Sequence, residues 1–276
     1  MRRRFRQVDV FSPEPCMGNP VAVVLDSDGL STAQMQLLAS WTNLSETTFV
    51  SPPDVAGADY QVRIFTPGTE LPFAGHPTLG TCHAWLEAGG VPRRQDRIVQ
   101  QCAAGLVPIR PTADGLGFAA PPVLRSGPVA GPLTDRIAAQ LGIDRAEIVD
   151  LQWADNGPGW IAVLLASADA VLAVRPDALD LDLGLAGPYP PGSDVSYEVR
   201  AFFTVGGRTV EDPVTGSFNA SLAQWLLSSG RAAAPYVASQ GTVLGRRGRV
   251  HVSADDEGTI WVAGATSTRI SGEADL

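Results

Sequence analysis

Apolar and polar positions alternate with a period of two in Tyr60-Gln-Val-Arg-Ile-Phe65 and again in Tyr197-Glu-Val-Arg-Ala-Phe202, the signature of half-buried strands. Shorter β patterns at Arg4 to Phe11 and Pro20 to Leu25, and at Val149 to Ala154 and Trp160 to Leu165, predict one hairpin early in each half of the chain. A peripheral helix is predicted after each hairpin, over Ser31 to Thr42 and over Ala168 to Val174. Two further segments, Pro77 to Glu87 and Phe218 to Ser229, are apolar nearly all round, which predicts buried helices.

These elements come in the same order twice. Tyr60 and Tyr197 begin matching strands 137 residues apart, Val21 and Ile161 begin matching apolar runs 140 apart, and Trp85 and Trp225 close matching helices 140 apart. Any two α/β segments share a Val-rich strand and a Leu-rich helix, but three echoes at nearly one offset argue for duplication of one unit. The Gly- and Pro-rich stretch Gly105 to Pro132 is the expected crossover between copies, with the boundary near residue 120. The expected organisation is an N-terminal half over 1–120 and a C-terminal half over 121–276, leaving open whether the last strand returns to the first half.

Composition narrows the partners. A hydrophobic fraction of 45% in 276 residues suits well-formed cores, and a formal net charge of −9 argues against nucleic acid, since the basic cluster Arg2 to Arg6 is too short for a phosphate-binding face. Cys16, Cys82 and Cys102 form no C-x-x-C pair, so neither a disulfide framework nor a metal site is expected. The longest apolar segment, Trp160 to Val174, falls short of the ~20 residues of a membrane span. A soluble, cytoplasmic protein without membrane contact is the expectation.

Candidate chemistry gathers at the starts of the two buried helices. Both copies place a glycine there, Gly75 in Phe73-Ala-Gly-His-Pro77 and Gly216 in Asp212-Pro-Val-Thr-Gly-Ser-Phe218. Pro77 suits the first helical position, and Thr215 or Ser217 suits an N-cap. Either start alone is an ordinary helix terminus. As a pair at equivalent positions they offer unpaired N–H groups to an anion such as a substrate carboxylate. His76, Glu211, Asp212, Thr215 and Ser217 supply polar company. Glu46, in Asn43-Leu-Ser-Glu46 before the predicted strand Thr47 to Val50, is either a surface residue at a helix–strand junction or a buried carboxyl of raised pKa suited to proton transfer.

The ordered blocks Gly18-Asn19-Pro20, Asn43-Leu-Ser-Glu-Thr47, Arg63-Ile-Phe-Thr-Pro67, Glu70-Leu-Pro-Phe-Ala-Gly-His-Pro-Thr78 and Glu211-Asp-Pro-Val-Thr-Gly-Ser217 resemble the PhzF-like isomerase family. Ala104-Gly-Leu-Val-Pro108 and Gly157-Pro-Gly-Trp160 extend the resemblance over nearly the whole chain. It implies an α+β, diaminopimelate-epimerase-like fold. In that fold, two pseudo-symmetric halves each wrap a mostly antiparallel sheet around a central helix, with the active site between them and a homodimer as the usual assembly. It also implies Glu46, His76, Asp212 and Ser217 as catalytic residues, Gly75, Gly216, Thr215 and Asn19 as substrate-binding residues, and no metal or organic cofactor. Relatives that epimerise α-carbons carry a cysteine in each of these loops, and here neither loop holds a thiol. Cys16 is expected to be a buried small apolar residue.

The activity implied is isomerisation of a small unsaturated carboxylate, of the phenazine-biosynthesis type. Alternatives are an isomerase of a double bond or imine in a modified amino acid, or a catalytically inactive binding protein of the same fold. Phe202-Phe-Thr-Val-Gly-Gly207 departs from the family pattern, and Arg246, Arg247 and Arg249 are a further feature with the means to reshape the pocket.

Overall fold

A computed structural model describes residues 1–205 and 207–276. Gly206, inside the segment that departs from the family pattern, lies outside the described residues. The chain divides into two compact units, Met1–Ala119 with Ala263–Leu276, and Ala120–Val262.

In the first unit the order is β1 (Arg2–Val10), β2 (Asn19–Val24), α1 (Thr32–Thr42), β3 (Glu46–Ser51), β4 (Tyr60–Phe65), β5 (Glu70–Leu71), α2 (Gly75–Glu87), β6 (Ile98–Cys102), β7 (Gly105–Thr112) and β8 (Gly115–Ala119). The C-terminal strand, Thr266–Asp275, pairs antiparallel with β1. Pairings β1–β2, β3–β4, β4–β5, β6–β7 and β7–β8 are antiparallel, while β2–β3 and β4–β6 are parallel. The sheet packs around α2, which touches β1, β2, β3, β6 and β8. Its residues Gly75 to Cys82 are buried without a break, as an all-round apolar helix requires. On the opposite side α1 closes a smaller core of Met35, Leu38 and Ala39 against Val24, Phe49 and Phe65.

The second unit runs β9 (Arg125–Pro128), α3 (Gly131–Leu141), β10 (Ile148–Asp155), β11 (Ile161–Leu165), α4 (Ala168–Ala173), β12 (Leu183–Pro188), β13 (Tyr197–Val205), β14 (Arg208–Asp212), α5 (Gly216–Ser228), β15 (Tyr236–Gln240), β16 (Gly248–Ala254) and β17 (Ile260–Gly264), the last crossing the unit boundary. From β10 to β16 the pairings repeat those of β1 to β7 in the same order. They are antiparallel β10–β11, parallel β11–β12, antiparallel β12–β13 and β13–β14, parallel β13–β15, and antiparallel β15–β16. Helix α5 holds the central place of α2, buried from Gly216 to Ala223. The duplication read from three sequence echoes is thus a duplication of topology.

Two expectations need correction. Gly105 to Pro132 is not a bare crossover: it carries β7, β8, β9 and the start of α3. Its prolines obscured a period of two that the burial of Val107 and Ile109 reveals. A proline is tolerated in a strand where the partner does not call on its missing N–H. Pro77 is the third residue of α2 rather than the first, still among the positions whose N–H has no intrahelical acceptor.

Candidate active site

In the first unit the local sequence folds so that Glu46 and His76 meet. Helix α1 ends at Asn43, whose left-handed φ of 55° turns the chain while its N–H bonds Ala39 O. Three residues later Glu46 opens β3, registered against Val21 of β2. His76 is the second residue of α2, where no intrahelical bond constrains the terminus. Its Nε2 lies 3.2 Å from Glu46 Oε2, with the two side chains 4% and 15% exposed. The two atoms are in contact without the alignment of a hydrogen bond, and among the described residues Nε2 has no other hydrogen-bond partner.

Asn19 completes the group. Its Nδ2 lies 3.2 Å from His76 Nδ1, and with the amide in this orientation Nδ1 accepts and the ring proton sits on Nε2, facing Glu46. Burial pushes the imidazole pKa down to about 3, against a smaller opposing effect of the Pro20 carbonyl. The ring is therefore neutral, and the Glu46 contact is a carboxylate beside an imidazole rather than an ion pair. Asn19 itself is held by Gly18, where a Cβ would fall 2.1 Å from Val10 O. Only glycine allows this approach to β1.

In the second unit Asp212 ends β14 and Thr215 to Ser217 begin α5. Thr215 occupies the N-cap position without a side-chain cap bond; its hydroxyl donates instead to Asp212 Oδ2 at 2.6 Å. Ser217, equivalent in the repeat to His76, accepts at Oγ from the Trp160 indole N–H at 3.1 Å. With an acceptor lone pair spent on Trp160, the hydroxyl proton of Ser217 is left to donate. Asn156 Nδ2 ties the same turn through Ser217 O at 2.8 Å.

The two units do not carry the same groups. The position registered like Glu46, opposite the first residue of β11, is Leu183, fully buried. The position registered like Asp212 is Leu71 of β5. Glu46 and Asp212 thus occur once each, in different copies.

The sequence-derived candidates fall out as follows. Glu46, His76 and Asn19 come together in the first unit, and Asp212, Thr215, Gly216 and Ser217 in the second; Gly75 and Gly216 each open a buried helix. Trp160, Asn156, Asn219 and Gln240 were missed as site residues. For Gln240 a signal existed, since Gln100 stands 140 residues earlier, again at the strand after the buried helix and fully buried. Glu211 belongs elsewhere: it holds Arg200 in a two-pronged pair at 2.9 and 2.8 Å. Cys16 is exposed, not buried, in a turn with φ 62°. Arg249 donates to Ser239 Oγ and to Gly248 O.

Comparison with known proteins decides the family. Residues 8–276 match the PhzC-PhzF family, described as phenazine biosynthesis-like protein. The chain belongs to this family. It is 36% identical to antisense-enhancing sequence 1 of Schizosaccharomyces pombe over 98% of each chain. It is also 36% identical to the trans-2,3-dihydro-3-hydroxyanthranilate isomerase of Pseudomonas aeruginosa, over 92% of this chain and 91% of that one. A PhzF-family protein of Bacillus anthracis superposes with a TM-score of 0.84 at 23% identity, covering both chains fully. A hydroxyproline epimerase of Agrobacterium vitis shares the fold at 14% identity and a TM-score of 0.60, over 99% of this chain and 92% of that one. The architecture is the expected α+β, diaminopimelate-epimerase-like one, and the chain is an isomerase of the PhzC-PhzF family. No helix among the described residues is long and apolar enough to cross a membrane.

Proposed function

We propose that this isomerase moves a proton between two carbons of a small unsaturated carboxylate in secondary-metabolite biosynthesis, with Glu46 carrying the proton. The observation behind the reading is the Glu46–His76 contact, a carboxylate beside a neutral, buried imidazole at 3.2 Å. The first substrate to offer is trans-2,3-dihydro-3-hydroxyanthranilate, named for the Pseudomonas aeruginosa relative. Glu46 takes a proton from an activated carbon, the electron pair spreads through the substrate's conjugated system, and Glu46 delivers a proton to another carbon after exchange with solvent while it is held. His76 Nε2–H stabilises the carboxylate before the proton is taken and orients the acid while it is held. Acid and base are side chains and the electron sink is the substrate itself, so the reading calls for no cofactor. The occurrence of Glu46 in one copy only, with Leu183 at the equivalent register, favours a single base over a symmetric pair. Ser217 as donor and Asp212 as acceptor suit the hydroxyl and amino substituents such a ring bears.

Proton NMR in D2O tests the reading. Wild type should convert this substrate with deuterium uptake at carbon, and Glu46→Gln should lose turnover by ~10^2 to 10^4. Full turnover and full exchange in Glu46→Gln would remove Glu46 from the mechanism.

A further inference from the structure

Asp212 is reached by a hydrogen-bond chain whose direction can be read link by link. Gln240, the last residue of β15, is fully buried and uses its whole amide. Its Oε1 accepts the Thr215 backbone N–H at 3.0 Å and Asn219 Nδ2 at 2.8 Å. Its Nε2 donates to Thr215 Oγ1 at 2.9 Å and to the Asp212 carbonyl at 3.2 Å. A backbone N–H can only donate, so the oxygen end of the amide must face Thr215 N. That fixes Nε2 on the Thr215 hydroxyl. The hydroxyl has one proton, and since its oxygen accepts from Gln240 the proton goes to Asp212 Oδ2, 2.6 Å away.

We propose that Gln240 and Thr215 are positioning residues for Asp212, fixing its side-chain rotamer and committing Oδ2 as a hydrogen-bond acceptor. Thr215, expected to bind substrate, acts through Asp212 instead, because its proton is already spent. The repeat supplies an internal contrast. Gln100 occupies the same place in the first unit, taking the Tyr60 hydroxyl at 3.0 Å and donating to Thr78 Oγ1 at 2.9 Å. There Gln100 meets Thr78 at the place of Asn219, and Ala74 and Leu71 stand where Thr215 and Asp212 would, so no hydroxyl carries the tie on to an acid. A structural tie in one copy thus continues to an acid in the other. The inference rests on the reading that Asp212 engages substrate.

The experiment has two arms. In the first, kcat and KM are measured on trans-2,3-dihydro-3-hydroxyanthranilate for wild type, Thr215→Val and Thr215→Ser. Loss of a hydrogen bond to a charged group predicts that Thr215→Val lowers kcat about 10- to 100-fold with KM changed less than about threefold, and that Thr215→Ser restores kcat. In the second, which needs no substrate, the Thr215 hydroxyl proton is sought by NMR. It should be a slowly exchanging resonance in wild type that vanishes in Thr215→Val and passes to fast exchange in Gln240→Leu. Wild-type kcat in Thr215→Val, or failure of Thr215→Ser to rescue a folded protein, would overturn the proposal. So would fast exchange of the hydroxyl in wild type, whatever the substrate. No turnover by wild type would instead refute the substrate reading and leave the NMR arm to decide.

Discussion

His76 Nε2 rests 3.2 Å from Glu46 Oε2 while Nδ1 of the same ring faces Asn19 Nδ2 at the same distance, so one neutral imidazole bridges a buried amide and a carboxylate. The bridge has a cost that pH exposes. Burial depresses the imidazole pKa to about 3, whereas the unfolded chain binds a proton there near 6.5. Between those values the unfolded state holds more protons than the folded one, so stability falls as pH drops from about 6.5 toward 3 and is fully retained above that window. Urea denaturation of wild type and His76→Gln across pH 4 to 8 checks this. The difference between them should shrink on the acid side, with a slope of up to ~1.4 kcal/mol per pH unit. A difference independent of pH would mean the imidazole is not held neutral.

Trp160 is expected to act on Ser217 rather than on the core alone. In Trp160→Phe the ring still packs against Phe218, whose centroid lies 5.5 Å from that of Trp160, but the indole N–H to Ser217 Oγ is gone. The loss in stability should be ~0.5 to 1.5 kcal/mol, the net worth of one neutral hydrogen bond. Turnover should fall as well, because the Ser217 hydroxyl is then free to rotate. Melting temperature and kcat measured together separate the two effects. Full activity at reduced stability would make Trp160 a packing residue only.

Thiol chemistry should single out Cys16. Burial raises the Cys82 thiol to about 12 and the Cys102 thiol above its ordinary value, and both are buried while Cys16 is exposed. Since the thiolate is the reactive form, a native sample should react with an aromatic disulfide at one thiol per chain, and a denatured sample at three. Cys16→Ser should abolish the fast phase and leave turnover intact.

What the sequence made legible followed from periodicity. Tyr60 to Phe65 and Tyr197 to Phe202 alternate because one face is buried, and the common offset of their neighbours exposes the repeat in the sequence itself. The strands β7 to β9 stayed hidden because Pro108, Pro111 and several glycines mimic loop chemistry, and only burial of Val107 and Ile109 restores the pattern. The site was half legible. Helix starts at Gly75 and Gly216 marked where polar groups converge, but nothing local joins Trp160 to Ser217 or Gln240 to Asp212, contacts that span 57 and 28 residues. Glu46 showed a junction, not a partner, until β2 and α2 brought Asn19 and His76 to it.

The repeat also carries one ion pair twice in unequal surroundings, which gives an internal control on burial. Arg200 and Glu211 pair at 2.8 Å with side chains 3% and 10% exposed, and Arg200 Nη1 also serves Val171 O and Val174 O. Arg63 and Glu70, at the matching places, pair at 2.7 Å with 31% and 34% exposure. Removing one partner of the buried pair strands a charge and two carbonyls, so Arg200→Met should cost ~3 to 5 kcal/mol. The same substitution at Arg63 leaves Glu70 near water and should cost no more than ~1 kcal/mol. Equal losses in urea denaturation would show that the repeat, rather than burial, sets the worth of the pair. The double variant Glu211→Leu with Arg200→Met should recover part of the larger loss, because it removes the stranded carboxylate along with its partner.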